Sequence, residues 1–331
     1  MSAPLLKVRD LTVRYQGEQG DFAAVDKVSF HIDKGEILAL IGESGCGKTS
    51  LGKALVGLQH SVEGDILLHQ HNLAALPPRK LRPLRRHIQM VFQDPLSALD
   101  PRQPAFKALD LPLSLHSELS REQRRSKIAQ WFTDVGLEPD LMARFPHQLS
   151  GGQRQRLNIA RALAPEPELI VCDEPVSALD VSLQKQIVDL LQGLQRHTGV
   201  SLLFISHDLS VVERIASRIA VMYAGRIVEI LPKTQMWRDA AHPYTRLLLS
   251  TLPGPSPDKR RLRDIPLEEE AAVNPYNLAK GCRFQQRCPN VRADCRERAP
   301  TLTPHGSAQL VACHHPHAPD DRALIIRRAV S

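Results

Sequence analysis

One stretch, "GEILALIGESGCGKTSLGKALVGL" at residues 35–58, constrains the fold more than any other part of the chain. "GEILALIG" reads as a fully buried strand, and "ESGCGKTSLGKALVGL" has helical spacing. Between them Gly42, Glu43, Ser44, Gly45, Cys46, Gly47, Lys48 and Thr49 fit G-x-x-x-x-G-K-[ST], with Ser50 following. The glycines let backbone N–H groups wrap a β-phosphate, Lys48 brings a point charge to the β/γ oxygens, and the Thr49 hydroxyl can ligate Mg²⁺. The ligand implied is a nucleoside triphosphate.

The rest of the chain supplies the sheet around that strand. Further apolar strands are expected at 168–172, 201–206 and 219–223, separated by amphipathic helices. In "QKQIVDLLQGLQRHTG", Ile187, Leu190, Leu191 and Leu194 share one helical face and Gly199 ends the run. Strands alternating with helices predict an α/β fold with a parallel sheet covered on both sides. Residues 5–33 alternate instead, which predicts strands with one buried face. A Pro-punctuated, charged helical insert interrupts the pattern over 95–148, and after about residue 232 Pro becomes frequent and periodicity fades.

Composition excludes several classes. The 331 residues are 42% hydrophobic and 24% charged, as in a soluble globular protein. Their apolar runs fall far short of the roughly 18 residues of a bilayer span. No secretory signal is read at "MSAPLLKVRDL", so a cytosolic setting is expected, with the six Cys reduced. Much of the net charge of +7 lies at 79–87 and 259–263, which read as solvated basic faces, with an anionic lipid surface or an acidic partner as the alternative. No aromatic residues are interleaved with them, which argues against a nucleic-acid partner.

Two carboxylates complete a hydrolytic set. "LIVCDEP" delivers Asp173 and Glu174 at a strand end, where Asp173 can hold Mg²⁺ through water and Glu174 can polarise the attacking water. Gln93, ending "IQMVFQ", can sense Mg²⁺ or water, and His207, ending "LLFISH", can donate to a γ-phosphate. "LSGGQRQRLNIARAL" at 149–163 adds a second phosphate seat, a Ser and two Gly opening a helix.

These motifs, together with "SALD" at 177–180, resemble in order and spacing the ATP-binding subunit of ABC transporters. The resemblance covers roughly residues 5–250. It implies a P-loop core with an antiparallel β subdomain and a helical subdomain at about 95–165, using ATP and Mg²⁺. Tyr15 resembles the family's adenine-stacking aromatic. By the same resemblance two such domains, identical or homologous, pack head to tail. Ser150, Gly151 and Gly152, with Gln153 in the same motif, serve the γ-phosphate of a partner's ATP, and Asp180 lies across that interface. About 100 residues separate Lys48 from Ser150, too few for the coiled coil of chromosome-maintenance ATPases.

A narrower resemblance rests on "IQMVFQDPLSALDPR", "CDEPVSALDVS", "FISHDLSVV" and "HPYTRLLL" (242–249), which look like the ATPases of dipeptide and oligopeptide importers. It implies an ATPase domain over 1–250 and a family-type extension over 251–331. It also implies a place on the cytoplasmic face of the plasma membrane, two membrane permease subunits, and indirectly a solute receptor. Other solutes (a nickel complex, an opine, a glycoside, an antimicrobial peptide) and a non-transport ATPase stay open as alternatives.

The tail carries Cys282, Cys288, Cys295 and Cys313, at intervals unlike the tight C-x₂-C pairs of most zinc ribbons. Four thiolates suit Zn²⁺ or a [4Fe–4S] cluster, and unligated thiols are the third reading; the importer tails favour the cluster. Cys172 is expected in the core. Cys46, beside Lys48 and a helix N-terminus, is expected to have a lowered thiol pKa.

Overall fold

The computed structural model describes residues 3–59, 62–251, 274–306 and 308–318. Two long strands open it, β1 (Leu6–Gly17) and β2 (Gly20–Ile32). Their alternation buries Leu6, Val8, Leu11 and Val13 against Val28, Phe30 and Ile32. β3 (Ile37–Ile41) is buried at every position and feeds the Gly-rich loop and α1 (Lys48–Leu55). β4 (Val62–Leu68) and β5 (His71–Asn72) then complete an antiparallel sheet in the order β2-β1-β4-β5.

After α2 (Pro78–Leu84) and β6 (Ile88–Val91), the insert is helical as expected. It holds α3 (Ala105–His116) and α4 (Arg121–Asp134). Ser120 and Gln123 cap α4 reciprocally, and Ile128, Trp131 and Phe132 bury one side of it. Asp110 ties the two helices, accepting from Arg124 Nε and Lys107 Nζ at 2.9 Å each.

The chain re-enters the core through α5 (Gly151–Leu163), β7 (Leu169–Asp173), α6 (Val181–Thr198), β8 (Ser201–Ile205), α7 (Leu209–Ile215) and β9 (Arg218–Tyr223). α6 ends where Gly199 turns left-handed at φ 72°. Its buried face is Ile187, Val188, Leu191 and Leu194; Leu190, expected there, lies at the margin and is only partly buried.

Strands β9-β3-β8-β7-β6 run parallel. β10 (Arg226–Pro232) adds antiparallel to β9, followed by α8 (Pro243–Ser250). The tail is more than the small irregular extension expected. Beyond α9 (Ala293–Glu297), β11 (Thr303–His305) and β12 (Gln309–Val311) continue the central sheet, which has eight strands among the described residues. β12 pairs with β10 at Glu229↔Val311 and Ile230↔Leu310, which covers an edge that would otherwise expose its hydrogen-bonding groups. The basic run at 259–263 lies outside the described residues.

Ligands of open α/β sheets bind beyond the carboxyl ends of parallel strands. Here the ends of β3, β7, β8 and β6 lead into the phosphate loop, Asp173–Glu174, His207 and Gln93 respectively.

Candidate active site

The loop at 42–49 is held from several sides. Lys48 is 5% exposed, and its ammonium donates to the carbonyls of Gly42 (2.8 Å) and Glu43 (2.9 Å). Gly47 has φ 107°, and a Cβ there would stand 2.1 Å from the Ala24 carbonyl oxygen, so the turn into α1 requires glycine. Ser44 and Gly45 are exposed at the loop's tip. The Tyr15 hydroxyl donates to the Ser50 hydroxyl (3.1 Å), and the half-buried Tyr15 ring stacks on Phe22 at 5.8 Å. Phe22 in turn meets the edge of Tyr276 from the tail at 5.1 Å.

Thr49 Oγ1 donates to Asp173 Oδ1 at 3.0 Å, so the hydroxyl and carboxylate expected to serve Mg²⁺ converge. Burial pushes the Asp173 carboxyl above the usual carboxylate range, and adjacent Glu174 adds to the rise despite the Thr49 hydrogen bond. A buried carboxylate so placed suits a cation. Both oxygens of Glu174 are bonded: Oε2 accepts from Gln93 Nε2 at 3.0 Å, and His207 Nδ1 lies 3.1 Å from Oε1. Gln93 and His207 stand two residues past the ends of β6 and β8, on turns rather than in the strands. Glu174 has φ 44°, a left-handed backbone that side chains other than glycine rarely adopt. Strain of this kind concentrates at functional sites.

The other predicted residues form separate groups. Ser150 caps α5, its hydroxyl accepting from Gln153 N–H (3.2 Å) while Gln153 Oε1 accepts from Ser150 N–H (2.9 Å). Ser150 and Gly151 are exposed, whereas Gly152 is buried under Leu183. Asp180 caps α6 through Ser182 and Leu183, and these hydrogen bonds hold its carboxyl below the usual range.

Cys46 departs from expectation. The side chain is 6% exposed, and burial pushes its thiol up more than Lys48 brings it down. Cys172 is core as expected, fully buried with its thiol pushed up to about 12.

In the tail, all four cysteines line one small cavity with His242, Phe284 and His315. Burial pushes the thiols of Cys282, Cys288 and Cys313 up, Cys313 to about 11, and the proximity of the other sulfurs adds to the rise. Asp294, Cys295 and His315 also bring ligand atoms within 4.8 Å of one another, with His315 bonded to Asp294 at 2.9 Å. The four cysteines share this cavity, but no three of their sulfurs come within 4.8 Å of one another.

Two participants were not read in the sequence. Tyr244 Oη accepts the Glu43 N–H (2.9 Å), and Arg287 makes a double ion pair with the Glu43 carboxylate (2.9 and 3.0 Å). "HPYT" drew attention to Tyr244 but not to a target 201 residues earlier. Arg287 carries no local signal at all.

Comparison with known proteins matches residues 25–177 to the family model "ABC transporter" and residues 228–295 to "Oligopeptide/dipeptide transporter, C-terminal region". The probable peptide ABC transporter ATP-binding protein y4tS of Sinorhizobium fredii is 46% identical over 95% of this chain and 90% of that protein. The oligopeptide transport ATP-binding protein OppF of Escherichia coli is 42% identical over 90% and 92% respectively. Among solved structures, the ATP-binding cassette MJ0796, dimeric in a post-hydrolysis state with ADP and Pi, has a TM-score of 0.64. It is 30% identical, and the match covers 69% of this chain and 98% of that one.

Proposed function

This chain belongs to the ABC transporter family as an ATP-binding subunit of an oligopeptide/dipeptide importer, and we propose how its residues divide the work. The observation that carries the reading is Glu174, fixed through both oxygens by Gln93 and His207 beside the Thr49–Asp173 pair. Glu174 takes the proton of the attacking water as its oxygen closes on the γ-phosphorus and the bond to the β-phosphate oxygen breaks. Gln93 aims the carboxylate. His207, with its side chain 58% exposed, is free to turn its other ring nitrogen toward the γ-phosphate. Lys48 exchanges its carbonyl partners for phosphate oxygens, and Tyr15 supports the adenine. Thr49 and Asp173 would hold Mg²⁺, with Gln93 at its edge, and the ion would neutralise charge on the β/γ oxygens.

The exposed start of α5 has backbone N–H groups and the Ser150 hydroxyl to offer, and Ser150 and Gln153 spend their side-chain hydrogen bonds on each other rather than on the chain's own phosphate loop. Ser150 and Gly151, on the buried Gly152 and the Gln153 cap, therefore close over the ATP of a second ABC subunit packed head to tail, with Asp180 in the same interface.

Two transmembrane subunits complete the importer, fed by a solute receptor. Their contact is the groove of about 380 Å³ beside α3, lined by Leu99, Pro104, Leu111, Leu115 and Arg161. Leu111 and Leu115 are 61% and 53% exposed, apolar surface suited to a partner helix. No helix among the described residues is long and apolar enough to cross a membrane. As the ATPase of such an importer, the chain would work from the cytoplasmic face, against its permease subunits.

Cys282, Cys288, Cys295 and Cys313 would hold a [4Fe–4S] cluster, which would cross-link the tail; ATP hydrolysis uses no electron from it. Iron and acid-labile sulfide in anaerobically purified protein test this, and four Cys→Ser changes without loss of iron would dismiss it.

Glu174→Gln tests the hydrolytic reading. It should retain ATP binding, accumulate ATP-bound dimers and lose on the order of 10²–10⁴-fold in turnover. Near-normal turnover would remove Glu174 from the base role.

A further inference from the structure

We propose that the C-terminal extension is a working part of the nucleotide site, with Arg287 as the residue that positions and neutralises the phosphate loop through Glu43. The inference rests on residues 42–49 being the ATP phosphate seat.

Every polar group of Glu43 is engaged. Its N–H donates to Tyr244 Oη (2.9 Å), its carbonyl accepts from Lys48 (2.9 Å), and its carboxylate takes both arms of the Arg287 guanidinium. The two side chains are 11% and 22% exposed, so the pair is largely shielded from solvent. The guanidinium also lies 5.9 Å from the Tyr223 ring centroid and 5.8 Å from that of Phe284, which fixes its plane. A lysine could match the charge but not the fork.

A second arginine of the tail braces the loop from behind. Arg283 donates to the Ala224 carbonyl and to Asp26, and the adjoining Gly225 N–H donates to the Cys46 carbonyl at 2.9 Å. The extension thus grips the loop's first variable residue directly and reaches its fourth through one turn.

The charge arithmetic gives this grip a purpose. Glu43 places a carboxylate in a loop whose task is to hold a polyanion, and left alone it would repel the phosphates. Arg287 cancels that charge. Removing the arginine leaves a half-buried negative group in the loop that holds the nucleotide, and the penalty grows with the nucleotide's own charge. MgATP must therefore lose more affinity than MgADP, a distinction that a purely structural strut would not make.

The experiment measures equilibrium MgATP and MgADP binding, with thermal unfolding, on the full chain carrying R287A, R287K, E43Q, R287A/E43Q or K48A. R287A should weaken MgATP about tenfold and MgADP about threefold. R287K should fall between R287A and wild type, and R287A/E43Q should recover most of the R287A loss. The proposal is overturned if R287A lowers the unfolding temperature while MgATP affinity stays within about twofold, or if R287A/E43Q binds no better than R287A. Should R287A fail to fold, R287K and R287A/E43Q carry the same comparison. The control separates the premise: if K48A binds MgATP like wild type, the phosphate-loop reading fails rather than the role of Arg287.

Discussion

The hydroxyl of Thr49 donates to the carboxylate of Asp173 across 3.0 Å, joining the first turn of α1 to the end of β7. This contact brings a hydroxyl ligand to a carboxylate that burial and neighbouring Glu174 make costly to ionise. The site is therefore arranged for a cation at some expense to the cation-free fold.

Asp173→Asn separates the two effects. Without nucleotide, the unfolding temperature should stay level or rise, because the variant removes a confined charge while keeping an acceptor for Thr49. The stabilisation by MgATP should fall to that of ATP with chelator, where wild type gains about 2.7 kcal/mol over the ligand-free protein at a hundredfold excess of MgATP over Kd. A thermal-shift titration reads both, and an undiminished Mg²⁺ effect would take Asp173 out of the ligand set.

Cys46 should be a poor nucleophile despite its place in the phosphate loop. Burial of the thiol outweighs the field of Lys48, so the thiolate is scarce and the sulfur shielded. Iodoacetamide at neutral pH should modify Cys46 on the order of tenfold more slowly than a free cysteine, accelerating as pH rises. Peptide mapping over time checks this.

Asp110 anchors the helical insert. Burial pushes its carboxyl up, but hydrogen bonds and charges from Lys107 and Arg124 more than reverse that, leaving it below its usual 3.8. A carboxyl depressed in the folded state adds stability above its unfolded pKa and loses it as pH falls through the folded value. Asp110→Asn should therefore cost about 1–3 kcal/mol at neutral pH, with the gap to wild type closing below about pH 3.8. Urea unfolding at several pH values gives the comparison.

What was legible divides along physical lines. The phosphate loop, Asp173, Glu174, Gln93 and His207 could be read because each is signalled by its neighbours in sequence: a glycine run, an apolar strand, a polar residue at its end. The sheet core was legible for the same reason, since burial writes its period into β1, β3, β7 and α6. Contacts between distant segments were not. Arg287 reaches Glu43 over 244 residues, β12 joins β10 by backbone pairing, and nothing local announces either. Cys46 was misjudged because its sequence neighbours show Lys48 but not the packing that desolvates the sulfur.

Under the proposed function Ser150 has two jobs, and one substitution can pull them apart. Its hydroxyl caps α5 by accepting from Gln153 N–H at 3.2 Å, while its exposure leaves it available to a phosphate from another subunit. Alanine would remove both at once, losing about 1 kcal/mol of helix stability along with any phosphate contact. Aspartate is different: it is as good an N-cap as serine and suits the positive end of a helix, yet its charge repels an incoming γ-phosphate. Ser150→Asp should keep the wild-type unfolding temperature within about 2 °C. It should also retain ATP binding at its own phosphate loop, because those residues are untouched. What it should lose is ATP-induced dimerisation in the Glu174→Gln background, measured by light scattering. If Ser150→Asp dimerises with ATP as readily as its parent, the start of α5 is not closing on a partner's phosphate.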